Sequence, residues 1–399
     1  MKKFFIISLF FFILFLFSGC KQETYNKIEL KDAFQTINSV ELFTTGSISK
    51  DELKTLKEDI NKILEDLDNL FNIQERNGIK PNTTLSLISQ RAGIEPVTVS
   101  SEVIFVIKKA LEMAEISKIQ NKDKEIALFD PSISPAWKIW DFPNNQYDYF
   151  DNTLTVTEIN DIETKVKEIV SCGLVNYKNI VVDEEKSTVF LAKAGMEIDL
   201  GAIAKGYAAD KVKEYLINRG YTSSIINIGG NILTIGDLFE KSFRIGIRTP
   251  YINWTNLRED ENGDYLNHIF GRLEVKDMSV VTSGTYEKYI RDEEGKEYHH
   301  ILDPETGLPI DNNVISITVV TKESILADGY STTLFALGLD KGMEVVNATE
   351  DLETVWVVKN GKTKEVYISS GLEESFFFNE NVREEGYVFK GVFNENAED

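Results

Sequence analysis

Apolar residues recur at intervals of three and four along two N-terminal segments, and this spacing is typical of amphipathic helices. The first segment runs from Asp51 to Phe71, and the second runs from Glu102 to Ile116 behind the capping pair Ser100–Ser101. Other segments are predicted to be helical, over residues 155–171, over residues 201–218 and onward from Asp328. These segments form the predicted helical part of the fold.

Between the helical groups, short runs of β-branched and aromatic residues predict strands. Residues 178–183 and 187–191 flank a polar turn and predict a hairpin, and further strands are predicted over 223–228, 232–236, 243–248, 270–275, 278–282, 314–321, 353–359 and 364–368. The segment 129–142, with two prolines and two tryptophans, predicts an ordered aromatic loop, and the polar tract 251–266 predicts an inserted surface loop. Strands clustered between helical groups indicate an α+β fold, here predicted as a single large domain over residues 37–378.

The N-terminus has a pattern of its own. Lys2 and Lys3 precede an apolar run of 14 residues, and Ser18-Gly19-Cys20 follows it. The run is shorter than the roughly 20 residues of a membrane-spanning helix, so residues 1–19 are predicted to be a signal peptide with a lipobox. Cys20 would then carry the lipid that anchors the protein to the extracytoplasmic face of the bacterial cell membrane. An uncleaved signal anchor with an incidental cysteine is the alternative.

The segments next to these ends are predicted to lie outside the folded core. Residues 20–36 are expected to form a lipidated tether, and residues 379–399 are expected to form an acidic C-terminal tail. Once Cys20 is acylated, only Cys172 remains, so no intramolecular disulfide is expected and Cys172 is predicted to be a buried small hydrophobe.

Charge narrows the range of partners. The 399 residues include 65 acidic and 43 basic side chains, which gives a formal net charge of −22. This balance argues against nucleic acid as a partner and against electrostatic attraction to anionic lipid, because both need basic patches. The chain has three histidines, so zinc chemistry is not expected and any metal should have oxygen ligands.

Two stretches carry the strongest candidate chemistry, EIDLGAIAKGYAAD (197–210) and LADGYSTTLFALG (326–338). Near its beginning each stretch has an aspartate, Asp199 or Asp328, at a predicted helix start. Backbone N–H groups and the helix dipole attract an anion there. Asp328 and Thr332 are four residues apart, so on a helix their oxygens share a face and suit one hard cation such as Mg²⁺. Lys205 adds a cation for an anionic ligand. The alternatives are that Asp328 only caps a helix and that Lys205 is an exposed surface lysine.

Three further segments hold polar groups at turns or strand ends. Gly229-Gly230-Asn231 is either a hairpin turn or a place where a phosphate or flavin ring approaches the backbone, and both can hold together. The cluster Thr282–Thr285 could hold phosphate or ribose, and plain turn chemistry explains it as well. His299 and His300 precede a turn, so one of them should face inward. His300 is the candidate catalyst, and the alternative is a core histidine with its hydrogen bonds satisfied.

Together with FDPSISPAWKIWDF, FRIGIRTP and HHILDPETG, these segments resemble the ApbE-type FAD:protein FMN transferase family, in order from about Phe129 to Gly338. The resemblance implies a T-fold-like, ApbE-type single domain with flanking helices. It also implies that FAD binds with Mg²⁺ at its diphosphate. FMN then passes to a Thr or Ser hydroxyl of a target flavoprotein through a phosphoester bond, and AMP is released. The expected acceptor is an extracytoplasmic flavoprotein of a membrane electron-transfer system.

The resemblance also assigns roles residue by residue. The implied metal ligands are the side chains of Asp328 and Thr332 and the backbone carbonyl of Ala202. The implied FAD-binding residues are Asp199, Lys205 and Ile301, then Gly230, Asn231, Ser283 and Gly284, and the loop residues Ser134, Pro135 and Ala136. The base that takes the proton from the acceptor hydroxyl is either Asp328 or His300, and the sequence leaves this choice open.

Two positions depart from the family pattern. The early Met-Gly-Thr motif is represented by Thr45-Gly46-Ser47, and the tyrosine usual after the first helix is replaced near Ile73. Both belong to the flavin side of the pocket. Two other functions therefore compete with the transferase. One is an Mg²⁺-dependent FAD pyrophosphatase, and the other is an FAD-binding lipoprotein that catalyses nothing.

Overall fold

The computed structural model describes residues 22–73, 81–121, 124–145, 153–252 and 255–394. The predicted signal peptide, the lipidation site Cys20 and the last five residues of the predicted tail lie outside the described residues. None of the described helices combines the length and the apolar character that a bilayer crossing requires.

The described residues form nine α-helices and twenty strands. The helices are α1 Lys50–Phe71, α2 Thr84–Gln90, α3 Ser101–Ile116, α4 Ser134–Trp140, α5 Phe142–Asn145, α6 Val156–Ser171, α7 Ala204–Asn218, α8 Ser324–Leu337 and α9 Leu339–Ala348. The strands are β1 Glu23–Glu29, β2 Asn38–Thr45, β3 Val97–Thr98, β4 Lys118–Asn121, β5 Lys124–Ala127, β6 Thr153–Leu154, β7 Ile180–Asp183, β8 Thr188–Leu191, β9 Ser224–Ile228, β10 Asn231–Ile235, β11 Phe243–Arg248, β12 Ile269–Val275, β13 Ser279–Gly284, β14 Tyr289–Asp292, β15 Glu297–His299, β16 Val314–Thr321, β17 Glu353–Asn360, β18 Thr363–Ile368, β19 Phe376–Phe378 and β20 Tyr387–Val392. Short 3₁₀ turns occur at Tyr177–Asn179, Ser370–Leu372 and Glu380–Glu385.

A nine-stranded sheet, in the order β1-β2-β9-β10-β13-β16-β17-β18-β20, separates two hydrophobic cores. Successive side chains of a strand point to opposite faces, so paired strands supply both cores. Val281 pairs with Val319 toward the core formed with α1, α3, α7 and α8, and Val280 pairs with Val320 toward the small sheet β11-β12-β19. A third core lies around α4, α6, β14 and β15. The prediction of one mixed α/β domain is confirmed.

Most elements with clear periodicity agree with their predictions. The helices α1, α3 and α6 lie within one residue of the predicted bounds, and β7 and β8 form the predicted hairpin. The segment 129–142 is not a continuous loop, because α4 begins at Ser134 with a proline in its first turn. Proline is tolerated there, since the N–H it lacks would have no partner inside the helix.

The predicted tether is wrong for most of its length. Strand β1 pairs with β2 from Glu23 to Glu29 and forms one edge of the large sheet. Within β1 only Ile28 is buried, because an edge strand is held by backbone hydrogen bonds and leaves its side chains largely in solvent. The polar composition of this segment therefore did not indicate a strand.

The predicted acidic tail is also wrong up to residue 392. Strand β20 pairs in parallel with β18 and forms the other edge of the sheet, where Tyr387 is buried against Phe270. The 3₁₀ turn before β20 contacts the predicted insertion, because Arg258 forms ion pairs with Glu384 and Glu385. The insertion itself is irregular over its described residues, as predicted.

Cys172 is exposed, which corrects the prediction that it is a buried small hydrophobe. It lies at the C-terminal cap of α6, where the chain turns back through Gly173 with φ of +68°. The apolar neighbours of Cys172 in sequence suggested burial, whereas the helix end places its side chain in solvent.

Candidate active site

A cavity of about 650 Å³ lies where the paired helices α7 and α8 meet the ends of β10 and β13. Polar and charged groups from distant parts of the chain converge on it. The predicted site residues that line it are Asp199, Ala202, Lys205, Gly230, Asn231, Ser283, Gly284, His300, Ile301, Asp328 and Thr332. Most of the residues that the sequence singled out are therefore neighbours in space.

The three predicted loop residues Ser134, Pro135 and Ala136 do not line the cavity. All three are buried in α4, and Ser134 Oγ donates a hydrogen bond to Glu197 at 2.9 Å. The helix turns Ile133 and Trp137, four residues apart, toward the cavity instead. The prediction identified the segment and missed which side of it faces the ligand space, because it treated a helix as a loop.

Neither candidate acid lies at a helix start. Helix α7 begins at Ala204, five residues after Asp199, and α8 begins at Ser324, which places Asp328 in the second turn. The N-terminus of α8 is already satisfied, because the Asp210 carboxylate accepts hydrogen bonds from the N–H groups of Ser324 at 2.9 Å and Ile325 at 2.8 Å. The predicted helix-end anion sites and the capping role of Asp328 are therefore wrong. The i, i+4 relation of Asp328 to Thr332 on one helix is correct.

Sequence reasoning missed Asp210, which lies inside α7 and anchors a different helix. Burial raises the pKa of Asp210 to about 6. Its local sequence gives no sign of this role, since an acid in the middle of a helix is usually solvent-exposed. Because α8 carries Asp328 and Thr332, this carboxylate fixes the position of both side chains from α7.

The closest approach of α7 to α8 is at Gly206. A Cβ atom on Gly206 would lie 2.1 Å from the carbonyl oxygen of Ser324 and 2.8 Å from Cβ of Asp328. This contact lets the N–H of Gly206 donate to Asp328 Oδ2 at 3.0 Å, and Lys205 Nζ lies 3.3 Å from Asp328 Oδ1. Lys205 Nζ also donates to the carbonyl of Gly201 at 2.8 Å, so Lys205 is not the free surface lysine of the alternative interpretation.

The hydrogen bond from Gly206 to Asp328 has a consequence for the first turn of α7. In a regular helix that N–H would bond to the carbonyl four residues earlier, which is Ala202. Within the described part of the chain no hydrogen bond reaches the Ala202 carbonyl and none involves the Thr332 hydroxyl, whereas the neighbouring Ser331 hydroxyl donates to the Asp328 carbonyl at 2.8 Å. Ala202, Asp328 and Thr332 thus present oxygen atoms with electron pairs to one region of the cavity.

Asp199 is held rigidly beside this region. Its carboxylate accepts a hydrogen bond from the N–H of Gly201 at 2.7 Å, and its own N–H donates to the carbonyl of Pro131 at 2.8 Å. Burial raises the pKa of Asp199, while the charges of Lys288, Lys205 and Lys138 oppose that shift. Asp199 therefore supplies a second carboxylate with lysines around it.

The two adjacent histidines have different roles. His299 uses both ring nitrogens within the protein, since Nε2 lies 2.9 Å from the carbonyl of Ile310 and Nδ1 accepts the N–H of Ile301 at 3.3 Å. His300 lies with Nδ1 3.1 Å from the carbonyl of Lys288, which can only accept, so Nδ1 carries the proton and Nε2 keeps its lone pair. Burial, with the charge of Lys288, lowers the pKa of His300 to about 3.

The turn at Gly229-Gly230 is the predicted hairpin turn, and it also lines the cavity. Both glycines have positive φ, β9 and β10 pair around them, and both line the cavity. A Cβ atom on Gly229 would lie 2.7 Å from Thr36 Cγ2, so the turn is closely packed against the N-terminal segment. The hydroxyl cluster at the end of β13 is partly structural, because Ser283 Oγ lies 2.8 Å from Ser331 Oγ on α8.

The N-terminal segment that reaches the cavity is Phe34–Thr36 and not Thr45-Gly46-Ser47. Phe34 and Gln35 have φ of +53° and +57°, a backbone region that side chains other than glycine rarely adopt. The prediction that residues 45–47 represent the Met-Gly-Thr motif on the flavin side of the pocket is therefore wrong. Ile73 does line the cavity, and the residues that follow it, 74–80, lie outside the described part of the chain.

The fold is that of known flavin transferases. A structure titled Flavin Transferase ApbE from Vibrio cholerae matches with a TM-score of 0.66 at 24% identity, covering 88% of this chain and all of that one. The apbe protein of Thermotoga maritima matches with a TM-score of 0.63 at 24% identity, covering 91% of this chain and 99% of that one.

The sequence comparisons identify the family. The model of the ApbE family matches residues 34–356. An FAD:protein FMN transferase of Klebsiella pneumoniae is 34% identical over 285 residues, which cover 71% of this chain and 76% of that protein. One of Treponema pallidum is 28% identical over 327 residues, covering 79% and 81%. The chain therefore belongs to the ApbE family, and the sequence-based predictions of that family and of a transferase enzyme are confirmed.

Proposed function

We propose that this protein is an FAD:protein FMN transferase that moves FMN from FAD to a Thr or Ser hydroxyl of an acceptor flavoprotein. The observation that carries the proposal is the Ala202 carbonyl, which accepts no hydrogen bond within the described residues and belongs to a cavity that Asp328, Thr332 and two lysines also line. Relatives named FAD:protein FMN transferase support it. The cavity volume is within the roughly 300–1,000 Å³ usual for ligand sites.

The donor set fits Mg²⁺. The described residues contain no cluster of three histidine, cysteine or acidic side chains that could hold a metal. One carboxylate, one hydroxyl and one carbonyl are the hard oxygen ligands of a cation that keeps several waters and binds substrate phosphates. Asp328, Thr332 and Ala202 would hold it. When bound, Mg²⁺ supplies positive charge that neutralises the phosphate oxygens.

The protein groups would position the two reactants and move one proton. The oxygen of the acceptor hydroxyl forms a bond to the phosphorus of the FMN half. The bond from that phosphorus to the bridging oxygen breaks, and AMP leaves with the bridging oxygen. We assign His300 Nε2 as the base that takes the hydroxyl proton, because Asp328 is assigned to the cation and Nε2 keeps its lone pair in a residue that lines the cavity. The remaining contributions to catalysis are the positioning of the two reactants and the electrostatic stabilisation of the developing charge.

Replacing His300 by glutamine is expected to lower the rate of FMN transfer about 100-fold, since general base catalysis typically contributes a factor of this order. Glutamine can keep a hydrogen bond to the Lys288 carbonyl but has no basic nitrogen. The rate is measured as formation of flavinylated acceptor under single-turnover conditions. His268→Gln, at an exposed position, is the control. A folded His300→Gln protein with the normal rate would contradict the assignment of the base.

The proposed activity is tested by incubating the protein with FAD, Mg²⁺ and a candidate acceptor, and then measuring the intact mass of the acceptor. The expected result is a covalent FMN adduct together with free AMP, and no adduct when a chelator removes the metal. Free FMN without an adduct would replace the proposal by an FAD pyrophosphatase. Unchanged FAD with every tested acceptor flavoprotein would replace it by a binding protein that catalyses nothing.

We further propose that the protein works on the extracytoplasmic face of the membrane, anchored through Cys20, and that its acceptor belongs to a membrane electron-transfer system. Only Lys21 and Gln22 separate Cys20 from strand β1. An acylated Cys20 would therefore hold the sheet edge close to the lipid surface. Such proximity suits an acceptor that is itself bound to the membrane.

A further inference from the structure

Lys288 follows β13 in the wall of the candidate active site. It lines the same cavity as Asp199 and Lys205, and its side chain is partly buried. Its ammonium forms no hydrogen bond and no ion pair within the described ranges of the chain. A partly buried ammonium without such partners is unfavourable, because it loses water and gains nothing in exchange.

Lys205 and Arg248, which also line the cavity, have contacts with other side chains. Lys205 bonds to Asp328 and to the carbonyl of Gly201. Arg248 lies over the ring of Tyr286, with its guanidinium carbon 5.2 Å from the ring centroid. Lys288 therefore contributes positive charge that forms no ion pair among the described residues, and an anionic ligand can use it.

The charged groups around Lys288 affect its pKa as expected for a partly buried ammonium. Burial, together with the positive charge of Lys205, lowers the pKa of Lys288, whereas the charges of Asp199 and Glu287 act in the opposite direction. An anion that binds between the two lysines would relieve both the desolvation and the repulsion.

The backbone at Lys288 is fixed next to the proposed base. The carbonyl of Lys288 accepts two hydrogen bonds from His300, one from the backbone N–H at 3.1 Å and one from Nδ1 at 3.1 Å. The backbone of Lys288 is thus held beside the ring of His300. A ligand that touches its ammonium lies close to His300.

We propose that Lys288 binds a phosphate oxygen of the dinucleotide substrate, as a cationic contact additional to the metal ligands and Lys205. The inference rests on the proposed function and names a residue that neither the motifs nor the charge pattern of the sequence indicated. Lys288 would make the site select ligands that carry phosphate over flavins that lack it.

The test compares ligands with and without phosphate. FAD and riboflavin are titrated against the intact protein in the presence of Mg²⁺, and flavin fluorescence gives the two dissociation constants. Lys288→Met is expected to weaken FAD binding about 10-fold or more, as for loss of a charged hydrogen bond, and to leave riboflavin binding unchanged. Lys288→Arg should restore most of the affinity for FAD.

The matched control is Lys241→Met, because Lys241 is exposed and its ammonium has no ion pair within the residues that the structure describes. Equal FAD binding by wild type and Lys288→Met would overturn the role of Lys288, and so would an equal loss for FAD and riboflavin, which indicates a structural defect. A wild-type protein that binds no FAD would instead overturn the proposed function, and the role of Lys288 with it.

Discussion

Replacing Asp328 by asparagine is expected to reduce FMN transfer by about 100-fold or more and to weaken metal binding. Asparagine keeps an oxygen that can accept the N–H of Gly206, so the contact between α7 and α8 should persist. It removes the negative charge that the proposed cation requires, and loss of one such electrostatic group in an active site typically costs a factor of 10²–10³. Transfer is measured by the mass of the acceptor, and metal binding is measured by titration with Mn²⁺.

Asp340→Asn is the matched control, because Asp340 is an exposed acid at the start of α9, the helix that follows α8. It should leave both transfer and Mn²⁺ binding unchanged. Normal activity and normal Mn²⁺ affinity in a folded Asp328→Asn protein would rule out Asp328 as a metal ligand.

Replacing Gly206 by alanine is expected to destabilise the fold by about 3 kcal/mol and to disrupt the site. The added methyl group would overlap the backbone carbonyl of Ser324, and backbone atoms cannot move aside as a flexible side chain can. The helices would have to separate, which would lengthen the hydrogen bond from Gly206 to Asp328 and alter the geometry around the Ala202 carbonyl. Urea unfolding followed by circular dichroism measures the free energy of unfolding.

Glu214→Ala serves as the control on the same helix, since Glu214 is exposed and pairs with Lys211 at the surface. It is expected to change stability by less than about 0.5 kcal/mol. If Gly206→Ala unfolds at the same urea concentration as wild type and keeps full activity, then close packing of α7 on α8 is not what builds the site.

The elements that the sequence predicted well are those with a strong apolar period. Helix α1 buries Leu56, Ile60, Leu64 and Leu67 on one face, so its bounds follow from the sequence alone. The edge strands β1 and β20 have no such period, because backbone pairing holds them and each has a neighbour on one side only among the described strands. The sequence therefore suggested a tether and a tail where the structure has the two borders of the sheet.

In the candidate site, too, local sequence predicted some features and tertiary contacts determined others. Local spacing was enough to place Asp328 and Thr332 on one helical face, and the order of the motifs was enough to identify the family. The carbonyl of Ala202 becomes available only because Gly206 lets another helix approach and take its N–H.

The sequence by itself determined the class of the fold, the family and most of the residues that line the cavity, because these depend on periodicity and on residue types in a fixed order. Only the tertiary structure decided three features of the described residues: Asp210 anchors α8, one ring nitrogen of His300 keeps its lone pair while both of His299 are bonded, and Lys288 forms no ion pair. Each of these depends on contacts between atoms that folding brings together, and local sequence carries little information about such contacts.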